Sequence, residues 1–155
     1  MPTDLLPALS RHPFLEGIPV ETLALMVGCT KNHRFEPGEL LAQAGAEANS
    51  FFLLRQGHVA ICARGPSQSL TVHTAGPGDL VGWSWLVAPY RYRFDARAVE
   101  PTVAFEVHGE CLRDKFDEHP ELGHRLLLKV STVLGERVDD LQLRLLDVYQ
   151  ANGRG

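Results

Sequence analysis

The sequence predicts an α+β fold, mainly β: an antiparallel β-roll or jelly roll flanked by N-terminal helices and a long C-terminal helix. Three observations predict it. From His33 to His108, short apolar stretches recur at even spacing with Gly/Pro turns between them, the mark of a roll or barrel. On either side of that stretch, apolar residues return at helical spacing instead. The chain's 155 residues, 45% hydrophobic and 22% charged, suit one domain with a real core.

Taken in order, residues 1–30 read as short N-terminal helices. Leu5, Leu6 and Leu9 cluster, Pro19 suits a first helical turn, and Leu23, Leu25, Met26 and Val27 give an apolar face. Residues 31–108 read as the roll. Glu36-Pro37-Gly38-Glu39 has the Pro and Gly placement of a type II turn. Leu40 to Gln43 is a short strand, Phe51 to Leu54 a second, and Gln56-Gly57 a tight turn. Val59, Ile61 and Ala63 alternate into a third, and Leu70, Val72 and Thr74 into a fourth. Gly76 to Asp79 turns the chain into Leu80-Val81, and Ala96, Ala98, Val103, Phe105 and Val107 are expected to form a final hairpin around Glu100-Pro101. Residues 109–149 read as helical. Pro120 suits the start of a helix running to Tyr149, with a short tail beyond. In it Leu127, Leu134, Leu141 and Val148 recur every seven residues, with Ser131, Val138 and Leu145 four after the first three. That heptad pattern predicts pairing with a second copy from Leu134 onward, and cover for the chain's own roll before it.

Composition narrows the function. A formal charge of −4 argues against nucleic-acid binding as the main task. Cys29, Cys62 and Cys111 are odd in number and widely spaced, and read as small core residues in a reducing compartment. No membrane span or signal-peptide architecture is expected, so the setting reads as cytoplasmic. The seven histidines are scattered without metal-ligand spacing, so no metal site is expected. Without a Ser-His-Asp context, a phosphate loop or paired carboxylates, no catalytic residue and no enzyme activity are expected.

One stretch, Asp79 to Ala98, concentrates the chemistry. It reads as a strand end, then Gly82, then a short apolar helix from Trp83 to Val87 broken at Ala88-Pro89, and then an arginine-bearing strand. Free N–H groups at a helix start, facing arriving guanidinium groups, are what a phosphate needs. The candidate ligand-binding residues are therefore Gly82, Trp83, Ser84, Arg91, Arg93 and Arg97. Trp83 either stacks a base or plugs the pocket, the plug being favoured. Ser84 is expected to cap the short helix, and Asp95 to pair with Arg93 or Arg97.

Three stretches carry a resemblance: Phe35 to Glu39, Phe51 to Ile61, and Gly78-Asp79-Leu80-Val81-Gly82. With Gly45, they place glycines at turn positions so that the chain from about Pro13 to Val138 resembles the cyclic nucleotide-binding domain, the sensor half of Crp/Fnr-type regulators. The resemblance implies a Gly-Glu pair that holds the ribose hydroxyl and an arginine, ten residues after that glycine, that holds the cyclic phosphate. Here Trp83 stands at the glutamate position and Tyr92 at the arginine position, with Arg91 and Arg93 on either side. The expected function is that of a stand-alone sensor module, dimeric through its C-terminal helix, that takes a cyclic nucleotide (cAMP or cGMP) if it takes a ligand. The alternative is a ligand-independent module with a Trp-plugged pocket that regulates a protein partner. The long helix leaves no room for a helix-turn-helix after it, so direct contact with nucleic acid is not expected.

Overall fold

The computed structural model describes residues 5–153. Helical turns come first: α1 (Leu5–Ser10), a single turn at Pro13–Leu15, α2 (Val20–Leu23) and a 3-10 stretch at Ala24–Cys29. The strands are β1 (Thr30–Phe35), β2 (Leu40–Ala42), β3 (Ser50–Gln56), β4 (Val59–Arg64), β5 (Ser69–Ala75), β6 (Leu80–Val81), β7 (Asp95–Ala98) and β8 (Thr102–His108). Two helices close the order, α3 (Gly109–Glu118) and α4 (Pro120–Gly153). One antiparallel sheet runs β1-β8-β3-β6 and the other β2-β7-β4-β5.

The apolar run at Phe51 to Leu54 shows why the two layers hold together. Successive side chains on a strand point to opposite faces. Phe52 and Leu54 enter the roll interior with Phe35, Val59, Ala96 and Ala104. Phe51 and Leu53 enter a second cluster, shared with the helices, beside Trp85, Phe105, Leu112 and Leu126. A strand buried on both faces must be apolar throughout, and this one is. The turn at Glu36–Glu39 forms as its sequence requires: Gly38 sits at φ +91° and the Glu39 N–H donates to the Glu36 carbonyl at 3.0 Å.

Three sequence expectations are corrected, and one strand is added to those expected. Thr30 to Phe35 is a strand of its own, paired along its length with β8. Its middle is polar and solvent-facing, so it carries no apolar alternation. The segments around Glu100-Pro101 do not form a hairpin: β7 pairs with β2 and β4, β8 with β1 and β3, so the chain changes sheets at this corner. Gly57 packs against the corner so closely that a Cβ there would lie 2.4 Å from Thr102 Oγ1. The last helix does not stop at Tyr149 but continues to Gly153.

The third correction concerns the cysteines. Cys29 and Cys111 form a disulfide across 82 residues of sequence, with Cα atoms 5.8 Å apart, the ordinary separation for such a bond. The β1–β8 register explains the meeting. Thr30 faces Val107, so Cys29 stands beside the point where β8 becomes α3, and Cys111 lies in the first turn of that helix. Cys62 remains free. The reducing setting inferred from cysteine usage loses its basis, since such bonds persist in oxidising surroundings.

In α4, Leu122, Leu126 and Val130 are buried, whereas Val138, Leu141, Leu145 and Val148 are each more than half exposed. At 1.5 Å per residue this helix is about 50 Å long, longer than one small roll can cover. None of the helices described is long and apolar enough to cross a membrane.

Closing so long a loop constrains the unfolded chain, for which about 2–4 kcal/mol of stability is typical. Reduction, or a Cys29→Ser/Cys111→Ser double variant, should therefore lower the unfolding free energy by that amount in urea denaturation. Thiol titration of the unfolded, unreduced protein should count the Cys62 thiol alone; a count of three would refute the bond.

Candidate functional site

After β6 the chain passes Gly82 and makes a single 3-10 turn at Ser84–Leu86. Trp83 occupies the cap position of this turn and makes no side-chain capping bond, so Ser84, buried one residue further on, is not the cap expected from sequence. The two tryptophans divide their roles. Trp85 is fully buried, stacked on Phe51 with ring centroids 4.6 Å apart, and anchors the turn to the helical cluster. Trp83 stays at the surface of the roll, half-buried, and lines a cleft with Gly82, Ser84, Tyr92, Arg93 and Ala96. The volume of that cleft is about 40 Å³, room for a few waters at about 10–15 Å³ each.

The arginines do not converge on this cleft as a set. Arg93 reaches it, but its guanidinium lies over the Trp83 ring, 5.2 Å from the centroid, a cation–π contact at an exposed edge. Arg91 points elsewhere and donates to the Gly45 carbonyl at 3.0 Å. Arg97, on β7, donates to the Gly38 carbonyl at 2.6 Å. Asp95 pairs with neither Arg93 nor Arg97. It accepts two bonds from Arg64, each 3.0 Å, and one from the Ala44 N–H at 2.8 Å. The Arg64 hydrogen bonds are the first reason its carboxyl titrates below the ordinary range, with burial opposing them. The repulsion of a phosphate by Asp95 is thereby blunted.

Tyr92 holds the position at which the resemblance calls for an arginine. Its hydroxyl donates to the Ser50 carbonyl at 2.6 Å and accepts from the Ser50 N–H at 3.3 Å. Burial raises its pKa, so it stays a neutral phenol. Around it the chain zips to the loop before β3: the Gly45 N–H donates to the Tyr92 carbonyl, the Tyr92 N–H to Ala46 and the Ala48 N–H to Tyr90. Together these bonds fasten the cassette to the loop before β3.

A residue outside the sequence-derived set completes the site. Arg137 comes from α4, lines the same cleft and donates to the Leu80 carbonyl at 2.6 Å. It is half-buried, and burial lowers its pKa while Asp79 raises it. Its signal in the sequence was positional. Arg137 and Arg144 each precede a heptad core residue (Val138, Leu145) and stand seven apart, so both lie on one flank of the helix beside the seam.

A family model for the cyclic nucleotide-binding domain matches residues 32–119. The chain belongs to this family. A putative cyclic nucleotide-binding protein from Geobacter metallireducens shares 26% identity over 88% of this chain and 97% of its own, with a TM-score of 0.74. The catabolite activator protein of Thermus thermophilus shares 25% identity, covering 87% of this chain and 63% of its own, with a TM-score of 0.68. A cyclic nucleotide-binding domain from Methylobacillus flagellatus shows the same fold at 16% identity, covering 92% and 83% of the two chains, with a TM-score of 0.81. Among curated proteins, Glutaminase 2 of Bradyrhizobium diazoefficiens is 24% identical over 143 residues, which is 91% of this chain but 22% of that protein's length. The domain family is regulatory rather than catalytic. Against the pattern that the resemblance implies, Gly82 and the short helical turn are present, and Trp83 and Tyr92 stand where a glutamate and an arginine are expected.

Tyr92→Phe should unlatch the cassette at the cost of about 1–3 kcal/mol, because the buried Ser50 backbone groups lose their partner. Arg97→Ala, which removes an exposed contact, should stay within about 0.5 kcal/mol. Urea denaturation of the two variants checks the ranking, and equal effects would show that the latch is not structural.

Proposed function

We propose that this chain is a regulatory module in which events between the roll and α4 change how α4 is presented to a second copy of the chain. The observation that carries this reading is the bond from Arg137 to the Leu80 carbonyl. It ties α4 to β6 at the edge of the cassette, so whatever competes for that guanidinium changes the tether of the helix. A ligand shifts such an equilibrium only by its different affinity for the two states, and a charge-assisted contact made in one state alone provides that difference. The exposed heptad positions Val138, Leu141, Leu145 and Val148 lie beyond the tether, where a change of helix direction acts directly on a paired seam.

The same reading departs from cyclic nucleotides as the ligand. Trp83 provides no carboxylate for a ribose hydroxyl and Tyr92 no charge for a phosphate, the two groups that the resemblance implies. Arg93, the one sequence-derived arginine at the cleft, is engaged with Trp83. A similar segment forms part of a larger protein named Glutaminase 2, which accords with a module that acts through a covalent or associated partner.

Titration calorimetry with cyclic AMP and cyclic GMP should give no saturable heat up to about 1 mM, and neither should shift the melting temperature. Ligand at 100 times its dissociation constant would add about 2.7 kcal/mol, which such a scan detects; micromolar binding of either nucleotide would overturn this part of the reading. Light scattering at tens of micromolar should report a dimer, and Leu145→Asp/Val148→Asp a monomer that keeps its fold. A wild-type monomer would refute pairing through α4.

A further inference from the structure

A cleft of about 220 Å³ lies where the loop before β3, the end of the cassette and the start of α3 come together. Four charged side chains line it, two of each sign: Glu47 from the loop, Arg91 from the cassette, Glu110 and Arg113 from α3. Glu47 and Arg91 stand opposite each other at an isolated antiparallel bridge. Glu110 and Arg113, three residues apart in α3, share one helix face. Each wall of the cleft thus carries one carboxylate and one guanidinium. Among the described residues, none of the four lies within 4.0 Å of an opposite charge. Backbone carbonyls take an N–H of each guanidinium instead: Arg91 donates to Gly45 at 3.0 Å, and Arg113 to Trp85. Most of the N–H donors of both groups remain available. Tyr90 positions one of them. Its φ of 57° is a left-handed conformation that side chains disfavour, held by the Ala48 N–H, which donates to its carbonyl at 2.7 Å. In that conformation its ring lies under the Arg113 guanidinium, 4.1 Å from the centroid. Backbone outliers of this kind gather at ligand sites.

We propose that this cleft binds a free α-amino acid as its zwitterion, the carboxylate held by Arg91 and Arg113 and the ammonium by Glu47 and Glu110. The pattern of charge selects this class. The four lining charges cancel, so the cleft as a whole favours neither an anion nor a cation. A molecule that bears both signs on neighbouring groups meets both pairs at once. The planar carboxylate suits the guanidinium fork, and the ammonium has donors for two carboxylates. A cavity of about 150 Å³ accommodates benzene, so about 220 Å³ takes a small amino acid such as asparagine. Asn49 adds an amide to the lining, which suits a polar side chain. The cleft shares no lining residue with the one at Arg137, so the proposal is independent of the tether.

The test is calorimetric titration of the full chain with L-asparagine. Succinamate, which lacks the ammonium, and 3-aminopropanamide, which lacks the carboxylate, run alongside. Asparagine should saturate below about 10 mM, and each analogue should bind at least about tenfold more weakly, because each leaves one charged pair unmade. Glu47→Gln/Glu110→Gln, at two exposed positions, should erase the preference for asparagine over succinamate. Arg91→Gln/Arg113→Gln should erase the preference over 3-aminopropanamide. No saturation by about 10 mM, either analogue within about tenfold of asparagine, or a preference that survives its variant would each overturn the proposal. If the arginine variant fails to fold, the glutamate variant and the backbone amide shifts of the wild-type protein decide. Asparagine-induced shifts centred on Glu47, Asn49, Tyr90 and Glu110 support the site, and shifts centred elsewhere overturn it.

Discussion

The Arg137 guanidinium leaves bulk water to reach the Leu80 carbonyl at 2.6 Å, where burial works against its charge and Asp79 offers partial relief. A charge is half-desolvated in this way only when the surrounding structure holds it there, because isolated burial of an ion is costly. What holds it is α4. Leu122, Leu126 and Val130 fix the first half of that helix in the shared core, and the helical repeat then brings Arg137 round to β6. The size of the cleft depends on that placement, since Arg137 lines it. The geometry of the cleft is thus set by a helix that the core positions and the cassette receives.

Seen from the cassette, two substitutions act together. Tyr92 latches on Ser50 at the position where the resemblance implies a charged arginine, and Trp83 stands where it implies an acceptor. Neither alone would close the cleft. A tyrosine with an open cleft would still admit a sugar, and a tryptophan beside an arginine would still attract a phosphate. In the proposed reading, the two together leave the cleft without the charge and the acceptor that the resemblance implies.

Much of the fold was legible in the sequence. The even spacing of turns predicted the roll, and the Phe51 to Leu54 run announced a strand buried on both faces. The Trp83 and Tyr92 departures were visible against a family pattern. What stayed hidden depended on three-dimensional register. The polar strand Thr30–Phe35 has no periodic signal because one neighbour and the solvent frame it. Cys29 and Cys111, 82 residues apart, meet only once β1 and β8 are aligned. Arg91, Arg93 and Arg97 looked equivalent along the chain, yet backbone carbonyls of the neighbouring loops capture two of them. Arg137 stood far from the cassette in sequence, and only its spacing from Arg144 marked the flank it occupies.

The disulfide determines which part of the helical end is free to respond. The cassette packs on the start of α3: a Cβ at Gly109 would lie 2.8 Å from Trp85 Cβ, and Arg113 donates to the Trp85 carbonyl while its guanidinium stacks on Tyr90. If α3 could pivot, movement of the cassette would be absorbed there. Cys111 is bonded to Cys29 at the base of β1, so the first turn of α3 is fixed to the sheet at one side and to the cassette at the other. The next break in the helical path is His119, between α3 and α4, and hinges are found at such element ends. In the proposed reading, displacement of Arg137 acts on α4 about this point, with Leu122 and Leu126 as the near contacts and the exposed heptad residues at the far end of the lever.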